Sequence, residues 1–330
     1  MKEEKINKSL SRVPQSLSFD NSALLKTFDS ESTIIRDLIV YAGNAKMKNL
    51  FNEVAFTIED FCTEFNYNKT TLQRTMKIFV NNPKLIPIVD GHKFDSLFEH
   101  ALYRALKENV IFKRKREGVE TFESVQVLDK LDVLYDRTTG KDTKRVYSLK
   151  LGNKILGYLF NEYNLIDYNE YRSIQSKKIS STGAMRNFYI YMGRMVASVQ
   201  YELKQGSNGT YVLSIDDLCS VFGADIKEPR NKKEYIKKTL SSLQGDVKSL
   251  SFNWKFITKN TRHSYFVEFD FPQSTIEYFN EHRKARFYKR LYDEMSRVYK
   301  KTKMPKVEDY KSIPETVSYT HLTLPTIYSV

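Results

Sequence analysis

One helical signature occurs twice in the chain. Thr57-Ile-Glu-Asp-Phe-Cys-Thr-Glu-Phe-Asn66 returns as Ser214-Ile-Asp-Asp-Leu-Cys-Ser-Val-Phe-Gly223, with four of ten positions identical and four more conservatively replaced. Upstream, Arg36-Asp-Leu-Ile-Val-Tyr-Ala-Gly43 returns as Arg186-Asn-Phe-Tyr-Ile-Tyr-Met-Gly193. The two pairs keep their order, at offsets of 150 and 157 residues. A repeat this long means two copies of a whole domain rather than the short units of a solenoid. At 330 residues the chain can supply a core to each copy.

The periodicities assign a type to each copy. In the first, Thr57 caps a helix with Asp60 closing a capping-box variant. Ile58, Phe61, Cys62 and Phe65 share its buried face at helical spacing. Asn66-Tyr-Asn68 interrupts the pattern, because Asn tolerates the left-handed backbone of a tight helix-to-helix turn. A second helix then runs from near Lys69 to before Pro83, burying Leu72, Met76 and Phe79. After another helix over Asp95–Asn109, the stretches Val125–Tyr135 and Arg145–Leu151 alternate apolar residues about a charged turn, as a hairpin does. The second copy repeats the order. A helix over Ala184–Leu203 precedes one opened by Ser214 and Asp217, with Ile215, Leu218, Cys219 and Phe222 inward and Gly223 at the turn. An insertion over Ala224–Asn231 lengthens that turn. The next helix buries Ile236, Leu240, Leu243 and Val247, and Phe252–Ile257 pairs with Tyr265–Phe271 as a second hairpin. Ser274–Lys300 reads as a long basic helix.

Helix, turn, helix and hairpin is the winged-helix order. The expected fold class is therefore α+β, mainly helical, with two tandem winged-helix domains related by internal duplication. The expected boundaries are a flexible basic arm over 1–19, a first domain over 20–165, a linker over 166–181, a second domain over 182–300 and a tail over 301–330. Within the tail no charged residue follows Glu315, and 317–330 resembles the translated read-through of a sequencing adapter, so it is set aside from fold reasoning.

A formal charge of +13 favours polyanionic partners. The abundance of Lys, Tyr and Phe is also what an AT-rich gene encodes, so where the charge sits matters more than its size. A helix-turn-helix places its second helix in the DNA major groove. In the first copy that helix would present Lys69, Thr70, Thr71, Gln73, Arg74 and Lys77, with Gln73 and Arg74 best suited to reading bases. In the second copy it would present Asn231, Lys232, Lys233, Lys237 and Lys238. The hairpin tips add Arg137, Lys141, Lys144 and Arg145 in the first copy, and Lys259 and Arg262 in the second, for flanking phosphates. Lys113-Arg-Lys-Arg116 and the Arg283–Arg290 stretch are either phosphate rails or solvated edges.

Other classes are disfavoured. The five histidines are scattered without metal-binding spacing, and no Gly-rich phosphate loop ends in Lys-Ser/Thr. The acidic pairs Glu59-Asp60 and Asp216-Asp217 are explained by capping. Cys62 and Cys219 hold equivalent places, which argues against a disulfide or a zinc site. No enzyme activity, catalytic residue, metal or cofactor is expected. With no apolar run of membrane-spanning length and no secretory pattern at Met1–Lys8, a cytoplasmic location is expected.

These patterns together resemble the replication initiators of theta-replicating plasmids, the Rep_3-type (RepE/RepA-like) family, over roughly Phe19–Glu281. The resemblance is carried by Asn21-Ser-Ala-Leu-Leu25, the Ser30–Tyr41 helix, the Phe56–Phe79 unit, the Arg186–Gly193 helix and the Ser214–Leu243 unit. It implies binding of double-stranded DNA at plasmid origin repeats (iterons), a homodimer in equilibrium with monomer, and contact with host replication initiation proteins or helicase. It also implies that dimers repress the chain's own gene and monomers open the origin, with Asn231–Lys238 as the main iteron-reading segment. A tandem winged-helix transcriptional repressor is the main alternative, and a rolling-circle nicking enzyme a more distant one.

Overall fold

The computed structural model describes residues 10–19, 22–46, 53–116, 119–135, 145–176, 178–206, 209–246, 251–258 and 265–281. In the first half, β1 (Leu10–Pro14) and α1 (Ser16–Phe19) are followed by α2 (Ser22–Phe28), a 3-10 turn at Asp29–Glu31, and α3 (Ser32–Lys46). Then come β2 (Glu53–Thr57), α4 (Ile58–Phe65), α5 (Lys69–Gln73) and α6 (Lys77–Asn81). The small hairpin β3 (Ile88–Val89) and β4 (His92–Lys93) leads to α7 (Leu97–Lys107) and to the antiparallel pair β5 (Asn109–Arg116) and β6 (Val119–Gln126). The wing strands β7 (Leu128–Tyr135) and β8 (Arg145–Leu151) complete this half.

Three elements join the halves: α8 (Asn153–Asn161), β9 (Tyr163–Asp167) and α9 (Tyr168–Ser173). The second half opens on α10 (Ile179–Lys204). It continues with β10 (Tyr211–Ser214), α11 (Ile215–Phe222), α12 (Pro229–Asp246), β11 (Asn253–Thr258) and β12 (Tyr265–Asp270). Residues 273–281 are helical.

Both halves are winged-helix units with the same topology. A first strand enters the helix-turn-helix, and that strand pairs with the last strand of the wing. The sheet orders are β2-β8-β7 and β10-β12-β11. Local chemistry repeats too. Thr57 caps α4 by accepting from Asp60 N at 3.1 Å, while Asp60 Oδ2 accepts from Thr57 N at 2.9 Å. Ser214 caps α11 with one half of that exchange, its hydroxyl accepting from Asp217 N at 3.0 Å and donating to Asp217 Oδ2 at 2.7 Å. The turns that follow are left-handed as expected, at Asn66 (φ 52°) and Gly223 (φ 67°). Aromatic rings fill both cores: Phe61 against Phe98 in the first half, and Phe188 against Phe222 and Phe269 in the second. Tyr189 and Tyr191 are core residues, as their apolar helical setting indicates.

Several expectations are corrected. Residues 10–19 are not a loose arm. β1 pairs antiparallel with β9, Val13 is fully buried, and the Arg12 guanidinium lies 4.4 Å from the Tyr163 ring centroid. The 166–181 stretch is not a solvated linker, because Tyr168, Tyr171 and Ile174 are buried in the core. The helix expected from Lys69 to Phe79 is two short helices. Between them Met76 N donates to Asp95 O (3.0 Å) and Leu97 N to Arg74 O (3.3 Å), so the backbone at Arg74–Met76 is extended. Three β-branched threonines, at 70, 71 and 75, weaken the helical alternative. Met76 is only half-buried as a result. The helix expected from Asp95 starts at Leu97, because Ser96 caps it. In the second half the insertion ends early, since α12 already begins at Pro229. Val247 and the Arg283–Arg290 stretch lie outside the described residues.

The duplicated helices α3 and α10 pack on each other, and both winged-helix units belong to one compact unit, Met1–Phe279. They approach so closely that a Cβ at Gly183 would meet Thr33 Oγ1 at 2.0 Å. Beside it lies an ion pair between Arg186 and Asp37, both side chains fully buried. Tyr171 Oη donates to Asp37 Oδ1 (2.7 Å), and Tyr67 Oη donates to Asp37 Oδ2. Arg186 also donates from Nε to Tyr171 O (3.2 Å) and from Nη2 to Arg172 O (3.3 Å) and Phe65 O (3.5 Å). Each formal charge is thus surrounded by opposite charge or by dipoles, the condition for a buried pair to hold.

Asp37→Ala leaves the Arg186 charge uncompensated and is expected to cost about 3–5 kcal/mol of folding stability. Urea denaturation checks this. A loss near that of an ordinary surface substitution would deny the pair its role.

Candidate nucleic-acid interface

In the second unit the second helix of the helix-turn-helix is continuous. α12 turns Ile236, Leu240 and Leu243 into the core and leaves Arg230, Asn231, Lys237 and Lys238 exposed. Lys232 and Lys233 have other partners. Lys232 is ion-paired with Asp216 on α11. Lys233 Nζ sits 4.0 Å from the Tyr265 ring centroid and 5.1 Å from that of Phe256, a cation–π clamp between α12 and the wing. Those two lysines hold the helix in place, while Asn231, Lys237 and Lys238 remain available to a ligand. Arg230 stands on the same exposed first turn, although the apolar spacing alone places it in the insertion. Pro229 at the first helical position is the signal that marks the true start, because proline fits that position and no interior one.

The first unit is built differently. α5 has five residues, and only Leu72 among them is buried. Lys69, Thr70, Thr71, Gln73, Arg74 and Lys77 are all exposed. They share no single helical face, since Arg74 lies in the extended break and Lys77 opens α6. Lys69 is ion-paired with Glu59 on α4, the counterpart of the Lys232–Asp216 pair. Arg145, expected near the wing tip, donates at 2.6 Å to the buried carboxylate of Glu99, which also accepts from Tyr147 Oη at 2.8 Å. Arg137, Lys141, Lys144, Lys259 and Arg262 lie outside the described residues. Lys113 is exposed on β5, paired with Glu120 across the hairpin.

Cys62 and Cys219 stand at the helix crossings. Burial pushes both thiols up to about 11, with added help from Glu59 at Cys62 and against the larger opposing pull of Lys232 over Asp216 at Cys219. They therefore behave as small apolar side chains at neutral pH. Among the described residues no cluster of His, Cys, Asp and Glu could hold a metal ion, and no helix is long and apolar enough to cross a membrane.

Two measurements test this geometry. Lys237→Ala and Lys238→Ala, at exposed positions of α12, are each expected to weaken the proposed DNA binding. Each is also expected to reduce the log–log salt slope by about 0.9 for every phosphate no longer neutralised. Gel shifts over a salt series read both effects. Thiol titration of the folded chain at neutral pH is expected to find neither cysteine reactive until denaturant is added, and rapid labelling of the native state would contradict the burial.

No family model matches the chain, and no curated protein matches it. Among solved structures it is similar to the crystal structure of the Pi initiator protein in complex with iteron DNA, at a TM-score of 0.45 and 11% identity, over 80% of this chain and 97% of that one. It is also similar to domains 2 and 3 of RctB, at a TM-score of 0.39 and 10% identity, over 72% of this chain and 80% of that one.

Proposed function

We propose that this chain is a sequence-specific binder of double-stranded DNA that initiates plasmid replication at origin repeats. The observation that carries the DNA reading is the second winged-helix unit. Its reading helix is continuous, basic on the exposed face, and clamped to its wing through Lys233. A second unit of the same topology lies in the same compact body, so two readers act as one ligand. Linking them makes the second DNA contact intramolecular and raises apparent affinity. Two successive major grooves on one duplex face are about 34 Å apart, which sets the span to be bridged.

The initiator role rests on the sequence resemblance described above. In this reading α12 is the main iteron reader, and the exposed residues around α5 supply an auxiliary contact. Protomers on neighbouring repeats strain the duplex, and an AT-rich flank melts first. The chain works in the cytoplasm as a homodimer in equilibrium with monomer, represses its own gene, and hands the opened origin to host replication initiation proteins or helicase. It performs no catalysis and needs no cofactor.

The test uses DNA flanking the chain's own gene. Several direct repeats of about two helical turns, each bound cooperatively and footprinted on one face, are expected. Protection of one inverted repeat over a promoter, with no repeats beside it, would instead make the chain a repressor. Nicked circles from supercoiled plasmid and divalent metal would overturn the non-enzymatic reading.

A further inference from the structure

The segment between α5 and α7 is closed at its base by a single antiparallel bridge, Thr75 with Ser96. From Met76 to Asp95 the chain passes through α6, the 3-10 turn at Pro83–Leu85 and the β3–β4 hairpin. Only Phe79 and Phe94 of these residues are buried. Both rest on α7, the Phe79 ring 5.0 Å from that of His100 and the Phe94 ring 5.3 Å from that of Tyr103. The backbone holds its shape through its own hydrogen bonds. Val80 N donates to Met76 O at 3.1 Å, Ile86 N to Pro83 O at 3.2 Å and Phe94 N to Pro87 O at 3.0 Å. Asp90 and Gly91 supply the left-handed hairpin turn, at φ 49° and 82°. Two buried rings offset little of the entropy lost in ordering such a segment, so folding stability alone does not account for it.

Its outer surface is apolar and basic. Five of the large apolar side chains that stand exposed among the described residues fall here: Ile78 (53%), Val80 (65%), Leu85 (52%), Ile88 (58%) and Val89 (43%). Single exposed apolar residues are ordinary, whereas a cluster marks an interaction surface. Lys77, Lys84 and Lys93 are exposed among them, and none has an ion-pair partner among the described residues. Ile88 lies directly opposite Lys93 in the hairpin, so an aliphatic side chain and a cation share one face. Lys77 and Val80 are likewise neighbours on α6. Asp90, at the hairpin turn, is the one exposed acid of the segment.

The chemistry selects among occupants. A second copy seated face to face would bring Lys84 and Lys93 against their own equivalents. A DNA backbone would use the lysines and leave the aliphatic side chains in water. A bilayer surface is met by a long amphipathic helix, and α6 has five residues. β3 and β4, of two residues each, are too short to template an added strand. We propose that the Met76–Asp95 segment is the docking surface for an amphipathic helix of a partner protein, with an apolar stripe flanked by Asp and Glu. The stripe covers the aliphatic cluster and the acidic flanks meet the lysines, which set the partner's orientation. This surface lies outside α12 and its wing, and it holds whether or not the chain initiates replication.

The experiment selects displayed helical peptides of about five turns on the full chain without DNA. Every peptide carries a leucine stripe, and its flanking positions are randomised among Asp, Glu, Lys, Ser and Gln. Survivors are expected to have acidic flanks and to bind the full chain in solution with a Kd of order micromolar. Val80→Ser with Ile88→Ser, at exposed positions, is expected to weaken them at least about tenfold. Lys84→Glu with Lys93→Glu is expected to transfer the preference to Lys-flanked peptides, a gain that misfolding cannot imitate. No survivor, survivors without acidic flanks, or binding undiminished in both double variants overturns the proposal. Three other results overturn it by naming a different occupant. These are a dimer lost on Val80→Ser with Ile88→Ser, a gel shift with the gene's flanking DNA lost in the same variant, and cosedimentation of the wild-type chain with phosphatidylglycerol vesicles lost in it, each without selective peptide binding.

Discussion

The architecture depends on one buried ion pair. Arg186 and Asp37 lie on the two duplicated helices, and each also binds groups well beyond them. Through Tyr67 and the Phe65 carbonyl the pair holds the turn of the first helix-turn-helix. Through Tyr171 and Arg172 it holds the joining segment. Buried pairs rarely add net stability over an apolar replacement, but losing one partner is severe. This one therefore acts by permitting a single docking of the two halves. The proposed DNA function needs that constraint, because two readers spaced on one duplex gain from linkage only if their separation matches the groove repeat.

The two copies differ in their second helices while keeping the same frames. Caps, left-handed turns, buried cysteines and sheet order recur almost residue for residue. The second helix does not. In the first unit the segment before α7 draws Arg74–Met76 into extended backbone pairing, which divides the helix and disperses its polar residues. In the second unit α12 runs unbroken for eighteen residues. Equal frames with unequal readers suit a division into a main and an auxiliary contact.

Much of this was legible in the residues. Capping pairs and apolar periodicity are local, so both helix-turn-helix units and both wings could be read from single stretches of chain. What escaped was non-local. The pairing of β1 with β9 brings residues about 150 apart together, and no local pattern marks it. The same applies to the break after Gln73, caused by a segment some twenty residues further on. The setting of the candidate interface lysines escaped for a related reason. Lysines look alike in sequence, yet Lys69 and Lys232 pair with acids on the preceding helix, and Lys233 stacks on the wing. Only the folded arrangement separates these from Lys237 and Lys238.

Thr57 and Ser214 each occupy two roles at once. Each is the last residue of the strand that pairs with the wing, opposite Val146 and Phe266 respectively, and each is the cap of the helix that follows. A wing cannot tilt without tugging the cap, and a helix cannot swing without peeling the strand. Every unit is therefore a stiff calliper with no internal hinge at that corner, and in the proposed complex a misfit there would fall on the duplex rather than on the joint between strand and helix.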